Sequence, residues 1–141
     1  MSGRKINAMN QRKKGSQKEA LAAAYLQRYG VMIVCRNYRI RQGEIDLIGW
    51  EKTGKTVSGR EQMRRTLLFI EVKYRKNRRN GVALEAVTAA KQRQICRVSL
   101  FYLNQYHISD SVPIRYDVVA IDGKEDGETI TWIKNAFQFM G

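Results

Sequence analysis

Two short apolar segments constrain this chain more than anything else in it: Gly43-Glu44-Ile45-Asp46-Leu47-Ile48 and Leu67-Leu68-Phe69-Ile70-Glu71-Val72-Lys73. Each reads as a buried strand, yet each carries carboxylates, and an ionised carboxylate is costly to bury unless something compensates it. Side chains alternate across a strand. Glu44, Asp46 and Ile48 therefore share one face of the first segment, and Phe69, Glu71 and Lys73 share one face of the second. Antiparallel pairing brings Asp46, Glu71 and Lys73 together on one side of one hairpin. Two carboxylates and a lysine on a rigid sheet are the parts needed to hold a divalent metal beside a phosphate. The competing expectation is an edge hairpin with a solvated charged face, Lys73 pairing with Glu71 or Asp46.

The surrounding chain supplies the sheet. Ser16-Gln17-Lys18-Glu19 fits a capping box, which predicts a helix from Ser16 to about Tyr29 with Gly30 as its stop. Glu19 either reaches back to cap Ser16 or turns toward the acidic strands as a further acid. The β-branched run Val31–Cys35 predicts a first strand, and Arg36–Gly43 a turn into a second strand that reaches about Trp50. Residues 51–65 are polar, hold Gly54 and Gly59 and show no period, which predicts a long mobile hairpin connection. A third strand from about Thr66 to Tyr74 leads into the basic loop Arg75–Gly81. Val82–Val87 predicts a short turn, and Thr88 caps a helix to about Tyr106 whose buried stripe is Ile95, Val98, Tyr102 and Leu103. Ile114–Ile121 is a fourth strand, Asp122-Gly123 a turn, and Thr129–Ile133 a fifth strand. The order α-β-β-β-α-β-β predicts an α/β fold, a sheet of mixed direction with helices on its faces. Residues 1–15, with five basic residues and no acid, read as a flexible arm, and residues 16–141 as one domain.

Charge narrows the partner. The net charge is +13, and residues 1–100 carry 23 of the 26 Lys/Arg but only 7 of the 13 Asp/Glu. A basic body around acidic strands points to a polyanion, most simply nucleic acid, although a solubilising surface needs no partner. Arg36, Arg39 and Arg41 precede Asp46, and Arg75, Lys76, Arg78 and Arg79 follow Lys73; these, with Lys91 on the second helix, are the candidate phosphate contacts, exposed loop arginines being the alternative for the first three. No apolar run reaches the length of a membrane span and no signal-peptide core follows the basic N-terminus, so a cytoplasmic protein is expected. Cys35 and Cys96 lie outside any Cys-x-x-Cys spacing and read as reduced core thiols. His107, the one histidine, sits near a helix end and suggests no histidine-based mechanism.

Phosphodiester hydrolysis is slow because the anionic backbone repels a nucleophile and the alkoxide leaves poorly. A hard cation such as Mg²⁺ or Mn²⁺ addresses both, given carboxylate oxygens and open positions for water and phosphate. Asp46 and Glu71 can supply the carboxylates and the Val72 carbonyl a further ligand. Lys73 can orient the attacking water or stabilise the phosphate. A full phosphate-loop pattern, Gly49-Trp50-Glu51-Lys52-Thr53-Gly54-Lys55-Thr56, is discounted: that loop needs a helix directly after it, and here Gly59 and another strand follow.

The residues also carry a resemblance. Gly15…Glu19…Ala23-Ala24-Tyr25-Leu26…Gly30, Arg36-Asn37-Tyr38-Arg39, Gly43–Ile48, Phe69-Ile70-Glu71-Val72-Lys73-Tyr74-Arg75 and Arg115-Tyr116-Asp117-Val118-Val119 resemble the YraN-like family of bacterial proteins. That family is similar to the restriction-endonuclease-like PD-(D/E)xK nucleases and, in its core, to archaeal Holliday-junction resolvases. The resemblance implies an α-β-β-β-α-β core. It also implies a metal-dependent endonuclease acting on DNA, branched or structured DNA included, with a catalytically silent nucleic-acid-binding module as the alternative. By position Asp46 matches the motif acid, Glu71 and Lys73 the (D/E)xK pair, and Glu19 the acid contributed by the first helix. Ile45 replaces the motif's proline. A resolvase-like mode calls for a homodimer, so that two sites meet two strands.

Overall fold

Burial of two apolar faces organises the chain. The computed structural model describes residues 17–76, 87–124 and 127–140. The first helix, α1, spans residues 17–28 and stops at Gly30, whose φ of +92° suits a glycine. Its predicted cap Ser16, the basic arm, Arg78 and Arg79, and most of the expected turn before Thr88 lie outside the described residues.

Five strands follow in a single sheet of order β1-β2-β3-β4-β5: β1 Val31–Ile40, β2 Gly43–Val57, β3 Arg60–Lys76, β4 Ile114–Lys124 and β5 Gly127–Phe137. The pairings β1–β2, β2–β3 and β4–β5 are antiparallel. β3 and β4 run parallel and are joined through the second helix, α2, Ala89–Gln105. The Thr88 hydroxyl caps α2 as expected, accepting the Lys91 N–H at 3.2 Å. Two cores result. Ala22, Ala23 and Leu26 of α1 pack on Leu47, Leu68, Ile70, Val119 and Ile121, while Ile95, Val98 and Tyr102 of α2 pack on Ile48, Phe69, Tyr116 and Val118. Helix, mixed sheet and helix form three layers with the order of the restriction-endonuclease-like core.

Three expectations are corrected. Residues 51–65 are not a loose connection. β2 and β3 remain paired from Glu51↔Thr66 to Val57↔Arg60, and the chain reverses at Ser58-Gly59, both with positive φ (52° and 77°) as a tight hairpin requires. The segment shows no period because nearly all of this ribbon is exposed on both faces, so neither face selects apolar residues. Arg36–Ile40 belong to β1 rather than to a turn, with Tyr38 buried in the core and Ile40 packed against it. Asp122-Gly123 lie inside β4, and Asp122 faces Arg75 across the parallel pair.

Candidate functional site

β3 is the middle strand of the sheet, so its acid cannot be a solvated edge residue: Glu71 is 5% exposed. The β2–β3 ladder runs inward as far as Leu47↔Ile70, and the next position on β2 is Asp46. There the Asp46 carboxylate replaces the missing ladder partner: its Oδ2 accepts the Val72 N–H at 2.8 Å. In an extended chain a residue's carbonyl faces the same neighbour as its N–H, so the Val72 carbonyl opens into the same gap.

The Asp46 and Glu71 carboxyls lie close enough to act on each other, an interaction that lowers Asp46 and raises Glu71. Burial, and then the charge of Asp46, push the Glu71 carboxyl up to about 8, with Lys91 and Lys73 opposing. Burial also raises Asp46, against the Val72 N–H, the bond to Glu71 and the charge of Lys91. Glu71 Oε2 is buried with no partner among the described residues. Glu19 stands within electrostatic reach: burial raises its carboxyl, the Asn37 side chain opposes, and Asp46 and Glu44 add to the rise. Asp46 and Glu71 lie together, Glu44 acts on Asp46 through its charge, and Lys73 lies close enough for its charge to act on Glu71.

A second buried acid supplies the contrast. Asp117 is 0% exposed, and its two oxygens accept from Arg115 Nε and Nη2 at 2.8 Å each, from Trp132 Nε1 at 2.9 Å and from the Asn135 N–H at 2.8 Å. Its charge is met by the protein. Among the described residues the Asp46–Glu71 pair receives one hydrogen bond from outside the pair, from the Val72 N–H. This fits a carboxylate pair that a cation completes: Asp46 and Glu71 would hold it, with the Val72 carbonyl facing the same gap. Among the described residues no third His, Cys, Asp or Glu joins them as a metal cluster.

The basic residues divide. Lys91, expected on the outer face of α2, is half-buried beside the acids; it lines a depression of about 280 Å³ with Arg39, Ile40, Gly43, Glu44 and Gln94. The spacing 91, 95, 98, 102 places Lys91 on the buried stripe itself, the signal that could have located it. Arg36 and Arg41 are exposed, and Arg39 is 73% exposed while donating to Glu44 at 2.9 and 3.2 Å. Arg75 is committed elsewhere. Its Nε and Nη2 donate to the Asp122 carboxylate at 2.7 and 2.8 Å and its side chain is only 10% exposed, so it braces β3 against β4 and offers little to a phosphate. The Lys76 side chain lies outside the described residues. Asp117 escaped notice in the sequence although it shows the same signal as Asp46, an acid within an apolar strand. The phosphate-loop pattern Gly49–Thr56 lies wholly within β2 with no helix following it, so it forms no anion cradle.

Comparison with known proteins agrees with the resemblance read from the sequence. The model of the family described as "Uncharacterised protein family UPF0102" matches residues 18–121. A UPF0102 protein of Legionella pneumophila (strain Corby) is 41% identical over 124 residues, covering 88% of this chain and 93% of that protein. One from Lachnoclostridium phytofermentans is 40% identical over 133 residues, covering 94% and 99%, and one from Vibrio parahaemolyticus is 39% identical over 131 residues, covering 93% and 97%.

Proposed function

The chain belongs to the uncharacterised protein family UPF0102, the YraN-like group, and from that premise we propose that it is a metal-dependent endonuclease hydrolysing phosphodiester bonds in DNA. One observation carries the proposal: a buried pair of carboxyls, Asp46 and Glu71, satisfied by little besides each other, with one Glu71 oxygen unpartnered. A bound Mg²⁺ or Mn²⁺ would neutralise the scissile phosphate and lower the pKa of a bound water.

The chain's own groups do the rest. Asp46 is fixed by the Val72 N–H, so its second oxygen is held in a set direction rather than free to rotate. A cation held by Asp46 and Glu71 would favour the ionised form of Glu71. Lys73 and Lys91 bring positive charge to the acids from β3 and α2, where it can meet a phosphate oxygen or orient a water. Glu19 adds a third acid from α1. The basic excess of the chain draws the polyanion in.

A cleavage panel of linear, flapped and four-way DNA tests this, with Mg²⁺ and Mn²⁺ in separate reactions. The wild-type chain is expected to cut at least one substrate. Asp46→Asn and Glu71→Gln should retain the circular-dichroism spectrum and lose roughly a hundredfold or more in rate. Absence of cutting by wild type on all three substrates with either metal removes the catalytic reading. What then stands is a silent nucleic-acid-binding module on the same fold, whose binding is unaffected by Asp46→Asn.

A further inference from the structure

A depression of about 550 Å³ lies away from the acids, at the root of the β2–β3 ribbon, between Trp50, Arg64, Arg65, Ser111, Val112 and Pro113. That volume falls within the roughly 300–1,000 Å³ of small-ligand pockets. Its walls are built rather than accidental. Trp50 and Val112 pack against the core beneath α2, and the Pro113 carbonyl accepts the Leu67 N–H at 2.9 Å, pinning the 111–113 segment to β3. The Arg65 guanidinium stands over the Trp50 ring, 4.8 Å from its centroid. Neither Arg64 nor Arg65 forms an ion pair among the described residues, and both are exposed.

A flat apolar wall, a guanidinium already stacked on an indole and a second arginine, Arg64, lining the same depression form a mixed aromatic and cationic surface. This suits a ligand that is itself a flat ring joined to an anion. We propose that this pocket binds an unpaired nucleotide of single-stranded DNA, the base stacking on the Arg65–Trp50 layer and the phosphates meeting Arg64 and Arg65. A paired base does not fit that description, because its faces are covered by its neighbours in the duplex. Trp50 lies on β2 four residues from Asp46, or about 13 Å at roughly 3.3 Å per residue. A strand held here passes near the acids, so the pocket selects DNA with an open branch or end. The assignment rests on the reading of the chain as a DNA-binding protein but not on its catalysing cleavage.

The test uses full-length chain carrying Asp46→Asn, so that nothing is cut, and follows anisotropy of a fluorescein-labelled single-stranded oligodeoxynucleotide and of the same sequence as a blunt duplex. Arg64→Ala with Arg65→Ala is compared with Lys52→Ala with Arg60→Ala, which removes equal charge from exposed ribbon positions outside the pocket. The pocket variant should weaken single-strand binding about tenfold more than the control variant. It should also lower the slope of log affinity against log salt by about 1.4, two phosphate contacts at roughly 0.7 each. Trp50→Leu should cost roughly tenfold in single-strand affinity with the salt slope unchanged. Equal losses in the two double variants overturn the assignment, as does an equal loss for the duplex. So does displacement of the strand by a polyglutamate peptide as readily as by unlabelled oligonucleotide of the same charge. Single-strand binding that follows this pattern in a chain whose wild type cuts nothing upholds the pocket while ending the nuclease reading. Cleavage of branched DNA with no single-strand binding does the reverse.

Discussion

At the scale of single residues, the fold treats buried acids in two ways, and the difference is the functional signal. Asp117 is enclosed by Arg115, Trp132 and Asn135, and its contact is the main cause that holds Arg115 charged far beyond any working pH. Glu51 sits between Arg115 and Lys134; burial works against it, yet their hydrogen bonds and charges keep its carboxyl below the usual range. Among the described residues no guanidinium pairs with Asp46 or Glu71. In the metal-free protein Glu71 titrates at about 8 rather than its ordinary 4.5, so between those values the folded chain binds more protons than the unfolded one. Stability from this group is therefore full below about pH 4.5 and is lost as pH rises through about 8, with a slope of at most about 1.4 kcal/mol per pH unit. Urea midpoints measured without divalent ions should fall across that window, and Glu71→Gln should flatten the fall. Added Mn²⁺ should restore the midpoint at the alkaline end, where the cation no longer competes with a proton. A wild-type profile that is level or rises across the window contradicts the raised Glu71 carboxyl.

At the scale of elements, β2 and β3 do two jobs with one ladder. Their inner halves are central strands sealed by both helices; their outer halves leave the sheet as a two-stranded ribbon ending at Ser58-Gly59. The ribbon adds little to either core, since Trp50 and Leu67 are the last pair packed there. Excising residues 55–56 and 61–62 removes the pairs Lys55↔Gln62 and Thr56↔Glu61. An even number preserves the alternation of wide and narrow pairs and keeps the turn in register. Unfolding free energy of this shortened chain should stay within about 1 kcal/mol of wild type, as for other exposed surface changes. A larger loss would mean that the ribbon packs against something. α2 works differently: its first turn carries Lys91 to the acids, while its stripe of Ile95, Val98 and Tyr102 seals the core behind them. Close approach of β2 and α2 depends on Gly43, where an added Cβ would lie 2.6 Å from the Gln94 side chain and would also have to adopt a φ of +146°.

At the scale of the whole molecule, a net charge of +13 accompanies the buried acidic pair, which suits the proposed role of attracting a polyanion and then neutralising it locally. Duplex binding should weaken steeply with salt. Four or more neutralised phosphates give a slope of log affinity against log salt steeper than about −3.6, measurable by anisotropy with the Asp46→Asn chain. A slope near zero would leave the basic excess as a solubilising surface. The sequence alone determined the strands that carry the acids, the Thr88 cap of α2, the stop of α1 at Gly30, and the α-β-β-β-α-β order. These follow from local propensity and from the two-residue alternation, which any short window displays. Asp46 and Glu71 were legible for the same reason, because an acid in an apolar run stands out wherever it occurs. Only the tertiary structure decided which of those acids is satisfied. Asp117 and Asp46 look alike in sequence, but one meets an arginine and two other donors, whereas the other meets a second carboxyl. Only the tertiary structure, likewise, placed Lys91 inside the site, committed Arg75 to Asp122 and extended residues 51–65 as a paired ribbon. Those outcomes depend on partners distant in the chain, and on which faces the two helices leave uncovered, information that no local window contains.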